Sequence, residues 1–139
     1  MKIDIFRHIL PQRYYDRTLN LLECGTTIKR RAANIPAMIN LDARFRIMDR
    51  FAEYCQVVSM AAPPIEAMGD AKLSPELAQV ANDGLAELVV KHPDRFPGFV
   101  AALPMNNPAA AVEEIDRAVL QLGAVGFQIF SNVNGQSPG

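Results

Sequence analysis

Cysteine is scarce in this 139-residue chain, and Cys24 and Cys55 stand far apart with no close spacing. That argues against a disulfide framework or a cysteine-rich metal knuckle, and the two read as ordinary semi-buried thiols. Histidine is as scarce, with His8 and His92 alone. Charge of either sign is not in excess: the formal net charge is −1, so the chain lacks the basic footprint of a nucleic-acid binder. The longest basic run, Lys29-Arg30-Arg31, is too short for a binding patch and reads as a solvated loop. No apolar run approaches the roughly 20 residues of a membrane span, and no signal-peptide pattern precedes the first strand. A cytoplasmic setting with no membrane partner is therefore expected. Neither G-x-G-x-x-G nor G-x-x-x-x-G-K-[ST] occurs, so nucleotide cradling lacks its usual sign. Repeats, low-complexity stretches and interdomain linkers are also missing. Half the residues are apolar, enough for one domain with a core over 1–139.

What is present alternates. Residues 3 to 9, "IDIFRHI", read as a strand stopped at Pro11, and 12 to 22 as a short helix. "ECGTTIKRRAANIPAMIN" shows no clear period and contains Gly25 and Pro36, which predicts a long loop. "LDARFRIMDRFAEY" carries Leu41, Phe45, Met48, Phe51 and Ala52 at helical spacing. "CQVVSMA" reads as a second strand, stopped by Pro63-Pro64. The next helix has Ser74 as cap candidate, Pro75 in its first turn and Pro93 as its stop. "FPGFVAALPM" is a third strand. A further helix has Asn107 as cap, Pro108 at its first position and Gly123 past its end. "AVGFQIFSN" is a fourth strand, and "VNGQSPG" forms turns. The inner strands are almost continuously apolar, as parallel strands covered on both faces are. The order predicts an α/β fold with parallel strands alternating with helices. A small open sheet and the first half of an eight-stranded barrel both satisfy this pattern.

The chemistry concentrates on the first strand. Alternation places Asp4, Phe6 and His8 on one face and Ile3, Ile5 and Arg7 on the other. Two imidazoles two residues apart on a strand can converge on one metal ion. Here His8 fills the later position and Phe6 the earlier. By spacing alone a single histidine reads as a hydrogen-bonded structural residue. Asp4 is placed to orient an inner group or to bind a neighbouring amide.

"MKIDIFRHILPQRYYDR" resembles the opening of the amidohydrolase-related proteins, in the branch that includes aminocarboxymuconate-semialdehyde decarboxylase, where the pattern is I-D-x-H-x-H. "LDARFRIMDRFAEYCQVVSMAAPP" resembles the segment in which an R-x-x-x-M-D helix runs into a strand ending near proline. "HPDRFPGFVAALPMNNPAAAVEEIDRAV" resembles the P-x-R-F-x-G strand with its following helix, and "LGAVGFQIFSNVNG" the G-x-x-G strand with its Asn-Gly turn. The pieces occur in the family's order along nearly the whole chain.

The resemblance implies a metal-dependent (β/α)₈ barrel enzyme, of which this chain is the first half, about four β/α units. It implies one divalent ion, zinc or in some members manganese, held by two ligands from the first strand and others from later strands. It implies hydrolysis or non-oxidative decarboxylation of a small carboxylated substrate. His8 carries over as a metal ligand. Phe6 stands where the first ligand belongs and has no lone pair to donate, so the metal can be weakly held or absent. His92, before Pro93 at a helix end, complements the helix dipole rather than binding metal. Arg7 and Asn132, at the carboxyl ends of strands, are the substrate-binding candidates, with an outer salt bridge and turn formation as their other roles. Arg30 or Arg31, in the long loop, could reach over the mouth as a substrate clamp, with a solvated loop as the stronger reading. No catalytic residue is assigned. A closed barrel needs more strands than four, so either the chain is part of a longer protein or two copies associate as a homo-oligomer. The second functional reading is a non-catalytic α/β binding or association module that has lost the metal.

Overall fold

The structure, a computed structural model, describes residues 1–19 and 21–137, without the side chains of residues 22–27. Its strands are β1 (Lys2–Ile9), β2 (Tyr54–Met60), β3 (Gly98–Ala102) and β4 (Gly126–Gln128). Its helices are α1 (Gln12–Thr18), α2 (Leu22–Asn34), α3 (Leu41–Met48), α4 (Ser74–Lys91) and α5 (Pro108–Leu120). The strands form one sheet in the order β1-β2-β3-β4, and each neighbouring pair is parallel. Sequential parallel strands joined by helices are what the alternating pattern predicted.

Register sorts the two faces. Ile9 lies beside Met60 and Val58 beside Phe99, with Ala101 two residues on. All five are buried and pack with Leu77, Ala78, Ala81 and Leu85 of α4, so this is the helix-covered face. The opposite face carries His8 beside Ser59, Val57 beside Gly98, and Ala102 beside Gln128. Val57, Val100 and Gln128 there are only half-buried.

Two expectations need correction. The predicted loop over 23–40 is a helix, α2, followed by a single 3₁₀ turn over Pro36–Met38. Its apolar signal is thin: Ile28, 1% exposed, is the fully buried anchor among its described side chains. Lys29, Arg30, Arg31 and the alanines that follow are good helix formers and supply the rest. Pro36 cannot continue the helix, and Ile35 before it is extended at φ −132°. The basic run is thus exposed on a helix rather than in a loop. Ser74 is not the cap of α4. Leu73 holds that place, and Ser74 Oγ donates to Asn106 Oδ1 at 2.5 Å instead. Asp70 Oδ1 accepts from the Lys72 and Leu73 amides just ahead of the helix.

Other boundaries follow their signals. Asn107 caps α5 by accepting from the Ala110 amide, Pro108 opens it, and Gly123 takes φ +74° beyond its end. α3 stops at Met48, before Phe51 and Ala52 of the periodic apolar pattern. Glu53, at φ +55°, turns the chain into β2. β4 is only three residues long, within the stretch expected at 124–132. Cys55 is buried and donates to the Lys2 carbonyl at 3.6 Å; Cys24 falls among the side chains not described. Among the described residues no helix is long and apolar enough to cross a membrane.

A 3₁₀ turn, Ile65–Ala67, follows β2 and buries Glu66, which is 4% exposed and whose Oε1 has no hydrogen-bond partner among the described residues. Burial raises the Glu66 pKa above its ordinary value. The fold therefore favours the protonated acid, and stability falls as pH rises through the folded pKa. Glu66→Gln is expected to stabilise the protein at neutral pH by on the order of 1 kcal/mol. The gain should shrink as pH falls toward the ordinary glutamate range. Thermal unfolding at neutral and mildly acidic pH measures this; an equal effect at both would show that the charge is not the cause.

Candidate functional site

β1 does not alternate evenly. Asp4 lies beside Gln56 but Arg7 beside Val58, so three steps on β1 match two on β2. This bulge overturns the simple parity reading of the strand. Asp4 and Arg7 fall on one side, where Arg7 Nε donates to Asp4 Oδ2 at 2.5 Å and to Tyr54 Oη at 3.2 Å. Tyr54 Oη also donates to Asp4 Oδ2 at 2.8 Å. The Tyr54 hydrogen bond is the first cause holding the Asp4 carboxyl below its usual pKa, with Arg7 adding to it. Asp4 is therefore not a companion of His8. Arg7 makes the outer salt bridge and still borders the pocket.

His8 lies on the other side, at the carboxyl end of β1. Its Nδ1 is 2.9 Å from Ser59 Oγ, and its ring meets the edge of Phe6 at 4.8 Å between centroids. Burial lowers the His8 pKa first, the Arg44 and Arg31 charges add to this, and a backbone contact with Met60 opposes it. The imidazole is therefore neutral at physiological pH.

Behind His8 stands a residue the sequence reading missed. Arg44 of α3 is 6% exposed. Its Nη2 donates to the His8 carbonyl at 2.5 Å, its Nη1 to Gln56 Oε1 at 2.6 Å and its Nε to the Ala37 carbonyl at 2.9 Å. Burial pushes its pKa down to about 10, so it remains a cation at neutral pH. A signal was available: Arg44 sits three residues after Leu41 and four before Met48, on the apolar stripe of α3.

These groups border a pocket of about 740 Å³ that runs along β1 and β2, from Tyr54 and Gln56 near the start of β2 to Ala61 and Ala62 past its end. Phe6, Phe51, Phe130, Ile35 and Ile47 give its apolar wall, and Arg7, Arg31 and Arg44 its cations. Arg31 Nη1 donates to the Ala62 carbonyl at 2.9 Å, which holds its guanidinium over the mouth. The Ala62–Pro63 peptide beside it is cis. Arg31 thus reaches the pocket from α2. Asn132 lies elsewhere: its Oδ1 accepts from the Gly135 amide at 3.2 Å, inside the Asn134-Gly135 turn. His92 ends α4 and packs edge-on against Phe45 and Phe96, away from the pocket.

A resident divalent ion does not fit the side chains on hand. Among the described residues no group of three or more His, Cys, Asp or Glu side chains converges. Among the described residues His8 is the one His, Cys, Asp or Glu side chain that borders the pocket, and Asp4 accepts from Arg7, Tyr54 and the neighbouring Phe6 amide.

Comparison with known proteins bears on this architecture. The family model "Amidohydrolase" matches residues 3–139. A gamma-resorcylate decarboxylase from Polaromonas sp. is 46% identical over 85 residues, 61% of this chain and 26% of that protein. A 2-amino-3-carboxymuconate-6-semialdehyde decarboxylase from Dictyostelium discoideum is 28% identical over 152 residues, 99% of this chain and 42% of that protein. The crystal structure of a dihydroxybenzoic acid decarboxylase from Polaromonas sp., with manganese and 2-nitroresorcinol bound, superposes with a TM-score of 0.70 at 31% identity. That match covers 91% of this chain and 37% of the solved one. The chain thus spans well under half the length of these relatives. Its four parallel units correspond to the first half of a (β/α)₈ barrel, and the small open sheet is set aside. By the match over residues 3–139, the chain belongs to the amidohydrolase family.

Proposed function

We propose that this chain is the amino-terminal half of a barrel enzyme that decarboxylates a small carboxylated aromatic compound without oxidation. The carrying observation is the pocket at the β1 mouth, where arginines and aromatic rings surround a neutral His8. A planar aromatic acid matches that lining. Its ring packs against Phe6, Phe51 and Phe130, and its carboxylate is met by a guanidinium. Arg31 is the arginine for that role, since among the described residues its guanidinium donates to a neutral carbonyl and meets no carboxylate. Arg7 is already neutralised by Asp4. The relatives described above are decarboxylases, which supports decarboxylation over hydrolysis. The bound manganese of the solved relative makes manganese, rather than the zinc expected from the resemblance, the first ion to supply.

In such a reaction the carbon–carboxylate bond breaks, carbon dioxide leaves, and a proton takes its place on the ring. The residues here bind and orient the acid, and the apolar wall keeps water from its ring.

The test is turnover of 2,6-dihydroxybenzoate by the full-length protein, followed by chromatography of the product resorcinol. Activity is expected, and Arg31→Ala should raise KM by about tenfold or more with a smaller change in kcat. No turnover of any hydroxylated benzoate, with manganese or zinc supplied, would overturn the reading and leave the non-catalytic module.

A further inference from the structure

We infer that the mouth of β1 in this chain is built to hold an anion rather than to chelate a divalent cation, and that Phe6 decides which. Phe6 lies within the bulge between Asp4 and Arg7, and its ring meets that of His8 with centroids 4.8 Å apart. That spacing suits a chelating pair, since two imidazoles on one zinc ion hold their donors about 3.4 Å apart. Position 6 is therefore near enough to His8 to offer a second donor, and the phenyl ring there provides none. Phe6 is 75% exposed, so nothing in the packing of the described residues requires a phenyl ring there.

The electrostatics point the same way. Arg7, Arg31 and Arg44 border the pocket, and among the described residues no aspartate or glutamate does. Arg7 is cancelled by Asp4. Arg31 and Arg44 donate to carbonyls and an amide oxygen, and among the described residues neither meets a carboxylate. Two uncompensated cations beside one neutral imidazole repel a metal ion and attract an anion. Without the ion to bridge it, an aromatic carboxylate would be bound directly by guanidinium groups, its ring against Phe6.

The choice of aromatic ligand rests on the proposed function; the metal part does not. Two titrations separate them. Manganese is titrated into the protein and followed by electron paramagnetic resonance. In parallel, 2,6-dihydroxybenzoate binding is measured by calorimetry in EDTA and in manganese. The wild type is expected to bind manganese weakly, and Phe6→His about tenfold or more tightly, since it adds an imidazole donor. Benzoate affinity of the wild type should be about the same with and without the metal, and Arg31→Ala should lower it about tenfold or more. Manganese binding to the wild type as tight as to Phe6→His would overturn the inference, as would benzoate binding that requires the metal. If no benzoate binds under either condition, the substrate reading fails while the manganese comparison still decides the metal question. Circular dichroism checks that Phe6→His is folded; if it is not, manganese binding by the wild type alone decides, tight binding overturning the inference.

Discussion

Arg44→Ala is expected to destabilise the protein by about 3 kcal/mol and to abolish ligand binding at the β1 mouth. The guanidinium joins three segments distant in sequence. It ties α3 to the carboxyl end of β1 through His8, to β2 through Gln56, and to the 3₁₀ turn through Ala37. Removing it leaves three acceptors without their donor, and a buried unsatisfied acceptor costs about 1–3 kcal/mol. Relief of the burial penalty, visible as the lowered pKa of Arg44, offsets part of that sum. Two further variants separate charge from geometry. Arg44→Lys keeps the charge but loses the planar fork, so it should recover roughly half of the loss. Arg44→Met fills the space without donors and should behave nearly as alanine does. Urea unfolding measures all three. A change for Arg44→Ala below about 1 kcal/mol would show that water replaces the guanidinium without penalty.

The order of the strands and of most helices was legible because they carried their own punctuation. Pro11, Pro63, Pro93, Asn107 and Gly123 mark boundaries by local backbone chemistry that tertiary contacts did not alter. α2 was not legible for the converse reason. Its sequence shows no clear apolar period, and among its described side chains Ile28 is buried and Arg31 reaches Ala62, a contact across 31 residues. The expected proximity of Phe6 and His8 agrees with the contact of their rings. The place of Asp4 was misjudged because alternation assumes an unbroken register, and nothing in "IDIFRH" announces the bulge. Arg44 and Asn82 were readable in principle: each is a polar residue on an apolar helical stripe, and such a residue needs buried partners.

Asn82→Ala carries the other large effect, about 3–4 kcal/mol. Asn82 is 0% exposed on α4, in line with Ala78, Ala81 and Leu85. Its Nδ2 donates to the Ala102 carbonyl at 2.9 Å, and its Oδ1 accepts from the Ala102 amide at 2.8 Å. Both main-chain groups at the last residue of β3 are thus satisfied by one side chain. The same Nδ2 donates at 2.6 Å to Glu114 of α5, itself buried and held by Arg117 through Nε and Nη2, both at 2.8 Å. Arg117 also reaches Asp83 at 2.7 Å, and these carboxylates raise its pKa, the Glu114 hydrogen bond foremost. Alanine would strand the Ala102 N–H and C=O, take a donor from a buried carboxylate and leave a small cavity. Asn82→Asp tests whether the donor or the volume matters. It preserves shape and keeps an acceptor for Ala102, but it faces the Ala102 carbonyl and Glu114 with a second acid. Two carboxylates sharing that site cannot both ionise at ordinary cost, so one pKa rises and the aspartate is favoured as its neutral acid. Asn82→Asp should therefore be at least as destabilised as Asn82→Ala at pH 8 and should regain stability on acidification to pH 5, whereas the alanine variant should not. Unfolding at the two pH values distinguishes them. Parallel pH curves for both variants would mean that the packing of α4 against β3, and not the donor to Glu114, is what Asn82 provides.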